Sequence, residues 1–386
     1  MKGALQIAKL FGIPVRIHWT FSFLFVLVFF SARMEEGDWT YIAWSIVFIL
    51  TIFFCVVLHE FGHALTARRF GVDTVDIILS PIGGIARLSR LPEKPFQEFQ
   101  VAIAGPLVNI AIALVLLPVI LFFFQEEFQF LLGALLNRQM ETNSDSITST
   151  QLFLPSIFLL NITLAVFNMF PAFPMDGGRI VRALLSIRLG RKKATRIASL
   201  MGQALAVVLM GIGLWQFNIL TVFIGIFVFF TAYQEYRMVK MDSMLANHQV
   251  REVMHPIVTK IQVSDTLEAA LDQFRRGTEQ SILVFEEDQP IGVLPQKTLI
   301  EAIRNEQFDE PVSNFIRLKI VPVSEELNLK QLFELAHHHK IQAFPVENSE
   351  GQISGMVDIN MINHFIYLQQ KLEKRKGRRK EESRPI

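Results

Sequence analysis

The sequence contains one cysteine, Cys55, in 386 residues. That excludes an internal disulfide and any CxxC metal or redox site. A basic excess is also missing: 37 Lys and Arg stand against 36 Asp and Glu, a net charge of +1. Without a concentrated basic surface there is no case for a nucleic-acid partner. Charged residues of either sign are few, at 19%, beside 51% hydrophobic residues and 35 phenylalanines, and this excludes a purely soluble protein. The scarcity is local. The apolar excess lies before Arg237, whereas residues 241–386 have the mixed composition of a water-soluble module.

A helix needs about 20 apolar residues to cross about 30 Å of hydrocarbon. Residues 17–32, 41–58 running on to Thr66, 101–124 and 151–175 qualify, and 197–234 has the length of two spans joined near Gln216 and Asn218. Six spans place both termini on one side. Lys2, Lys9 and Arg16 precede the first span. Arg68, Arg69, Arg87, Arg90 and Lys94 follow the second, and seven Lys or Arg between Arg179 and Arg196 follow the fourth. The opposite connections hold only Arg33 and Arg138. Short basic loops stay in the cytoplasm, so the N-terminus and residues 241–386 are expected there, in a multi-pass protein of the cell membrane. The first apolar segment is read as a span rather than a cleaved leader.

Inside the second span lies His59-Glu60-Phe61-Gly62-His63, an HExxH pattern. Helical spacing of four puts the two imidazoles one turn apart on one face, able to share zinc, with Glu60 beside the water to be deprotonated. Catalytic zinc usually takes three protein ligands. The outstanding third candidate is Asp176, at the end of the fourth apolar segment in the run Asn168-Met-Phe-Pro-Ala-Phe-Pro-Met-Asp-Gly-Gly. Its two prolines and two glycines interrupt the helix, and broken backbone at membrane depth is tolerated only where it is buried or lines a cavity. Asp176 can also serve as the cap of a helix starting near Arg179. If the second helix ends near Thr66, His59 lies about 10 Å from its cytoplasmic end. Residues 72–91, where Val75, Ile77 and Leu79 alternate before Pro81 and Gly83-Gly84, read as a short hairpin or a re-entrant loop with a free edge for an unwound peptide.

The two motifs, in this order, resemble the site-2 proteases, which are marked by HExxH and NxxPxxPxDGG. The resemblance covers the whole membrane part. It implies zinc held by His59, His63 and Asp176, with Glu60 as general base and Asn168 holding the substrate or the oxyanion. It further implies a membrane-associated β-hairpin whose Gly83, Gly84 and Ile85 meet the substrate. The expected substrates are transmembrane segments of other proteins within the lipid bilayer. Gly105-Pro106-Leu107-Val108-Asn109 is similar to another recurrent feature of the family, read here as close helix packing with a hydrogen bond from Asn109.

After Arg237 the sequence repeats with a period near sixty residues: Val263-Ser264-Asp265-Thr266-Leu267 answers Val323-Ser324-Glu325-Glu326-Leu327. Each unit reads as a helix, two strands and a helix. The pair resembles tandem cystathionine-β-synthase (CBS) domains, which implies regulation, a homodimer through the pair, or an adenine nucleotide. Neither repeat completes the nucleotide pattern: Gly292 is followed by Pro295 and Thr298, and Gly355 by Asp358 and Met361, leaving Asp358 as a weak candidate contact. The expected architecture is a polytopic α-helical membrane domain, 1–240, of about six spans with the β-hairpin, then a cytoplasmic α/β pair, 241–310 and 311–370, and a basic disordered tail, 371–386. The expected function is intramembrane zinc metalloproteolysis regulated by the repeat pair. A zincin cutting at the cytoplasmic surface, which usually takes glutamate as third ligand, and a catalytically silent gated binding or transport protein are the alternatives.

Overall fold

The computed structural model describes residues 3–34, 39–81, 83–89, 92, 94–135, 149–256, 260–276, 281–287, 289–316, 320–339, 341 and 343–382. They form two units, Met1–Arg237 and Met238–Ile386.

The first unit begins as a sheet. β1 (Ala4–Leu10) and β2 (Ile13–His18) pair antiparallel around Phe11 and Gly12, whose positive φ of 50° and 80° makes the tight reversal. A helical segment follows, α1 (Ser22–Met34), then the 31-residue α2 (Trp39–Arg69), β3 (Thr74–Ser80) and β4 (Gly83–Leu88). β2 runs parallel to β3, with Val15 opposite Ile77, and β3 runs antiparallel to β4, with Ile77 opposite Ala86. The expected hairpin is thus half of a four-stranded sheet in the order β1-β2-β3-β4, with β4 at one edge. Ile13, Val15, Ile77 and Leu79 bury one face of it against Val57, Phe61 and Ala64 of α2. On β3, fully buried Asp76 binds Arg16 of β2 at 3.1 Å and Arg87 of β4 at 2.5 Å, tying three strands.

The first expected span is corrected by this sheet. Residues 17 and 18 complete β2, where Ile17 pairs with Leu79, residues 19–21 make a 3-10 turn, and the described helix α1 starts at Ser22. Then come α3 (Pro95–Phe123), α4 (Gln125–Leu135), α5 (Ser149–Asn168), α6 (Asp176–Leu189), α7 (Arg191–Trp215) and α8 (Ile219–Ala246). Among the described residues five helices, α2, α3, α5, α7 and α8, are long and apolar enough to cross a membrane. α2 continues three residues past Thr66 to Arg69, so His59 stands about 15 Å from its end at 1.5 Å per residue. α2 and α3 pack closely: a Cβ on Gly62 would lie 2.7 Å from the Ala104 carbonyl oxygen.

The second unit contains two similar halves. The first is β5 (Lys260–Gln262), α9 (Leu267–Arg276), β6 (Ser281–Glu286), β7 (Gln289–Pro295) and α10 (Gln296–Arg304). The second is β8 (Val323–Ser324), α11 (Leu329–His339), β9 (Ala343–Glu347), β10 (Ile353–Asp358) and α12 (Ile359–Glu382). Each has a short leading strand that the sequence reading lacked, because two or three residues carry too little alternation to be seen. Apolar side chains from strands and helices close a core in each half. α12 runs on through residues 371–382 where a disordered tail was expected, since Lys, Arg and Glu are good helix formers.

Candidate metal centre

α2 brings His59 and His63, four residues apart, to a buried face. Each imidazole is fixed from behind through Nδ1: that of His59 faces Asn109 Oδ1 at 2.5 Å and that of His63 faces the Val101 carbonyl at 2.7 Å. Both acceptors lie on α3. With the protons on Nδ1, both Nε2 atoms present lone pairs forward.

Asp176 meets them from the other side. α5 ends at Asn168, as the proline-containing run that follows cannot continue the helix, and a tight loop leads to α6. Gly177 and Gly178 let that loop fold against the new helix, for a Cβ on Gly178 would lie 2.5 Å from the Phe173 amide nitrogen. Asp176 is the first residue of α6, with Met175 in the cap position and no side-chain capping bond. Its carboxylate is therefore not the helix cap; Oδ2 lies 3.2 Å from His59 Nε2 and 3.1 Å from His63 Nε2. The two Nε2 atoms are 3.1 Å apart.

Three buried acceptor atoms at these separations suit a cation between them. Ligands of tetrahedral zinc at 2.0–2.1 Å stand about 3.3–3.4 Å apart, so the triangle needs to open by only about 0.2 Å to hold it. Among the described residues this is the one His/Cys/Asp/Glu cluster able to hold a metal. Gly105 of α3 makes room for it: a Cβ there would lie 2.6 Å from His59 Nε2 and closer still to His63 Nε2.

The remaining expected residues fall around this triangle or away from it. Glu60 is half-buried, and its Oε2 accepts the Ala86 backbone N–H of β4 at 2.9 Å. Gly84 allows that approach, since a Cβ would be 2.9 Å from both Glu60 Cγ and Val56 Cγ1. Gly83 makes the turn into β4 with φ of 134°, and Ile85 is 60% exposed. Asn168 ends α5, half-buried. Asp358, in the second unit, is buried and its Oδ1 accepts the Met361 N–H, capping α12. It also lines a cavity of about 490 Å³ with His255, Asn360 and His364.

Two features of the site were not apparent from sequence. Gly105 was assigned to helix packing, and Asn161 of α5, bonded to Asn109 at 2.8 Å, was not singled out at all. A fully buried amide in an apolar helix was the signal available for it.

Residues 47–212 match peptidase family M50, and residues 250–305 match the CBS domain. Over 358 residues the chain is 32% identical to a zinc metalloprotease of Methanocaldococcus jannaschii, covering 92% of this chain and 94% of that one. It is 23% identical over 265 residues to the stage IV sporulation protein FB of Bacillus subtilis, covering 66% of this chain and 83% of that one. A solved site-2 protease from M. jannaschii is 36% identical and covers 60% of this chain and 95% of its own, with a TM-score of 0.44. Likeness along nearly its whole length to a zinc metalloprotease, with the M50 match over its membrane part, makes the chain a member of peptidase family M50, the site-2 proteases: a multi-pass intramembrane zinc metalloprotease carrying a CBS module.

Proposed function

We propose that His59, His63 and Asp176 hold one zinc ion per chain and that Glu60 is the general base in hydrolysis of transmembrane segments of membrane-protein substrates. The observation that carries this reading is the buried triangle of two Nε2 atoms and one carboxylate oxygen, 3.1–3.2 Å on each side. Bound zinc supplies Lewis acidity, lowering the pKa of water and polarising a carbonyl. Asn109 and the Val101 carbonyl keep the imidazoles oriented. Glu60 takes the proton from the attacking water and returns it to the leaving amine. Asn168 offers its amide to the substrate or to the developing oxyanion.

A helical substrate hides its peptide bonds in its own hydrogen bonds, so it must be held unwound. The edge of β4, at Gly83, Gly84 and Ile85, is suited to that by strand addition. Ala86 lies on the same strand and its N–H is bonded to Glu60. A substrate carbonyl that takes this N–H releases the base when peptide is present.

The basic connections support cytoplasmic termini in the cell membrane; a reporter fused after Ile386 that is active only outside the cytoplasm would contradict this. The CBS pair acts as a regulatory module that joins two copies, with exposed Tyr367 and Leu372 of α12 available to the partner copy; a monomer by light scattering would contradict the pairing. An adenine nucleotide is not part of this reading, because neither repeat completes the nucleotide pattern.

The proteolytic reading is tested by comparing membrane-protein fragments, by N-terminal mass spectrometry, in cells with the parental protein or Glu60→Gln. The variant is expected to keep zinc and produce no fragments. Unchanged fragments would contradict the role of Glu60.

A further inference from the structure

We infer that Asn161 is a positioning residue for His59, acting through Asn109 to fix which imidazole nitrogen carries the proton. Asn161 is fully buried on α5, and its Nδ2 lies 2.9 Å from the Ile157 carbonyl of the same helix. A main-chain carbonyl only accepts, so the amide nitrogen of Asn161 must face it, and Oδ1 is turned towards Asn109 at 2.8 Å. That oxygen also only accepts. The nitrogen of Asn109 must therefore face Asn161, leaving Oδ1 of Asn109 against His59 Nδ1 at 2.5 Å. The proton of His59 is then held on Nδ1, and Nε2 points its lone pair at His63 and Asp176.

Each link is forced by the one before it, and the direction is set by a backbone oxygen that no side-chain rotation can reverse. Cys55 Sγ, 3.5 Å from Asn161 Nδ2, is a weak second acceptor that agrees with the same direction. His63 has a shorter arrangement, bonded directly to the Val101 carbonyl. Both imidazoles are thus referred to main-chain carbonyls, one directly and one through two amides. With Asn161 removed, the Asn109 amide is free to turn over and present its nitrogen to His59. That favours the tautomer protonated on Nε2, which closes the ligand position.

The inference rests on the proposed ligand set. It is tested by chelator-competition titration of zinc on the detergent-purified full chain. Asn161→Leu should weaken zinc about tenfold, the low end of the range for groups bonded directly to metal-bound histidines. Asn161→Asp keeps an acceptor opposite Asn109 and should stay within about threefold of the parent. Asn109→Asp added to Asn161→Leu should restore binding, because a carboxylate accepts from His59 whichever way it is turned. Restoration is the readout that a purely structural Asn161 does not give. If Asn161→Leu does not yield monodisperse protein, Asn161→Met removes the same acceptor at similar volume and is read the same way. Binding by the removal variant within twofold of the parent, or no restoration by Asn109→Asp, overturns the inference. His63→Ala separates the two levels: loss of zinc there with unaltered zinc in Asn161→Leu leaves the ligand set standing and overturns only the role of Asn161. A parental protein that takes up no zinc, or a His63→Ala variant that keeps it, overturns both.

Discussion

At the scale of single residues the metal centre is decided by atoms too small to notice as much as by the ligands. Gly105 is the clearest case, because any side chain there occupies the space in front of both Nε2 atoms. Gly105→Ala should leave a folded, helical protein with little or no bound zinc, checked by circular dichroism and metal analysis of the same sample; full zinc occupancy would contradict the packing. The grouping of His59, His63 and Asp176 was legible from sequence for physical reasons. Four residues of α-helix fix the facing of His59 and His63 whatever the fold around them, and an acid at membrane depth such as Asp176 is costly enough to demand a use. Asn161 was not legible. Its partner Asn109 is 52 residues away in the chain, and a lone amide in an apolar helix reads equally well as any interhelical hydrogen bond.

At the scale of elements, the loop after α5 and the start of α6 are held by a buried ion cluster rather than by apolar packing alone. Arg182 of α6 is fully buried, donates to Glu98 of α3 at 2.5 Å and to Glu235 of α8 at 2.6 Å, and lies over the Phe173 ring at 5.0 Å. Removing the cation leaves the buried Glu98 carboxylate and the half-buried Glu235 carboxylate without it. Arg182→Met should therefore destabilise by about 3–5 kcal/mol, seen as a lowered unfolding midpoint in detergent. Arg182→Lys should recover little of it, because one ammonium does not reproduce the planar fork that reaches both acids. A midpoint unchanged in Arg182→Met would contradict this role. The β4 edge carries a separate prediction. Ala86→Pro deletes the N–H that β4 offers at the edge and that binds Glu60, and should lower kcat/KM; an unchanged kcat/KM would place substrate elsewhere. The sheet was only half visible in the sequence. β3 and β4 are neighbours in sequence with a turn between them, whereas β2 pairs with β3 across the whole of α2, and Lys9 and Arg16 in the first two strands drew attention as loop charges.

At the scale of the whole molecule, two units divide the work between a membrane-embedded zinc protease and a CBS module. The division was legible because composition changes sharply at the boundary, and five of the six expected spans because length and apolarity alone define them. Neither repeat completes the nucleotide pattern, so millimolar AMP or ATP should leave the chain's unfolding midpoint where it is; a rise of several degrees would show a nucleotide bound to the native state. The central claim is that two histidines from one span and an aspartate beyond a broken helix hold a single catalytic zinc. X-ray absorption at the zinc edge, with metal stoichiometry on the purified full-length protein and on Asp176→Ala, tests it most directly. One zinc per chain is expected, with two nitrogens and a carboxylate oxygen at about 2.0–2.2 Å, and loss or weakening of that zinc in the variant. A protein that takes up no zinc, or keeps the same first coordination sphere without Asp176, would contradict it.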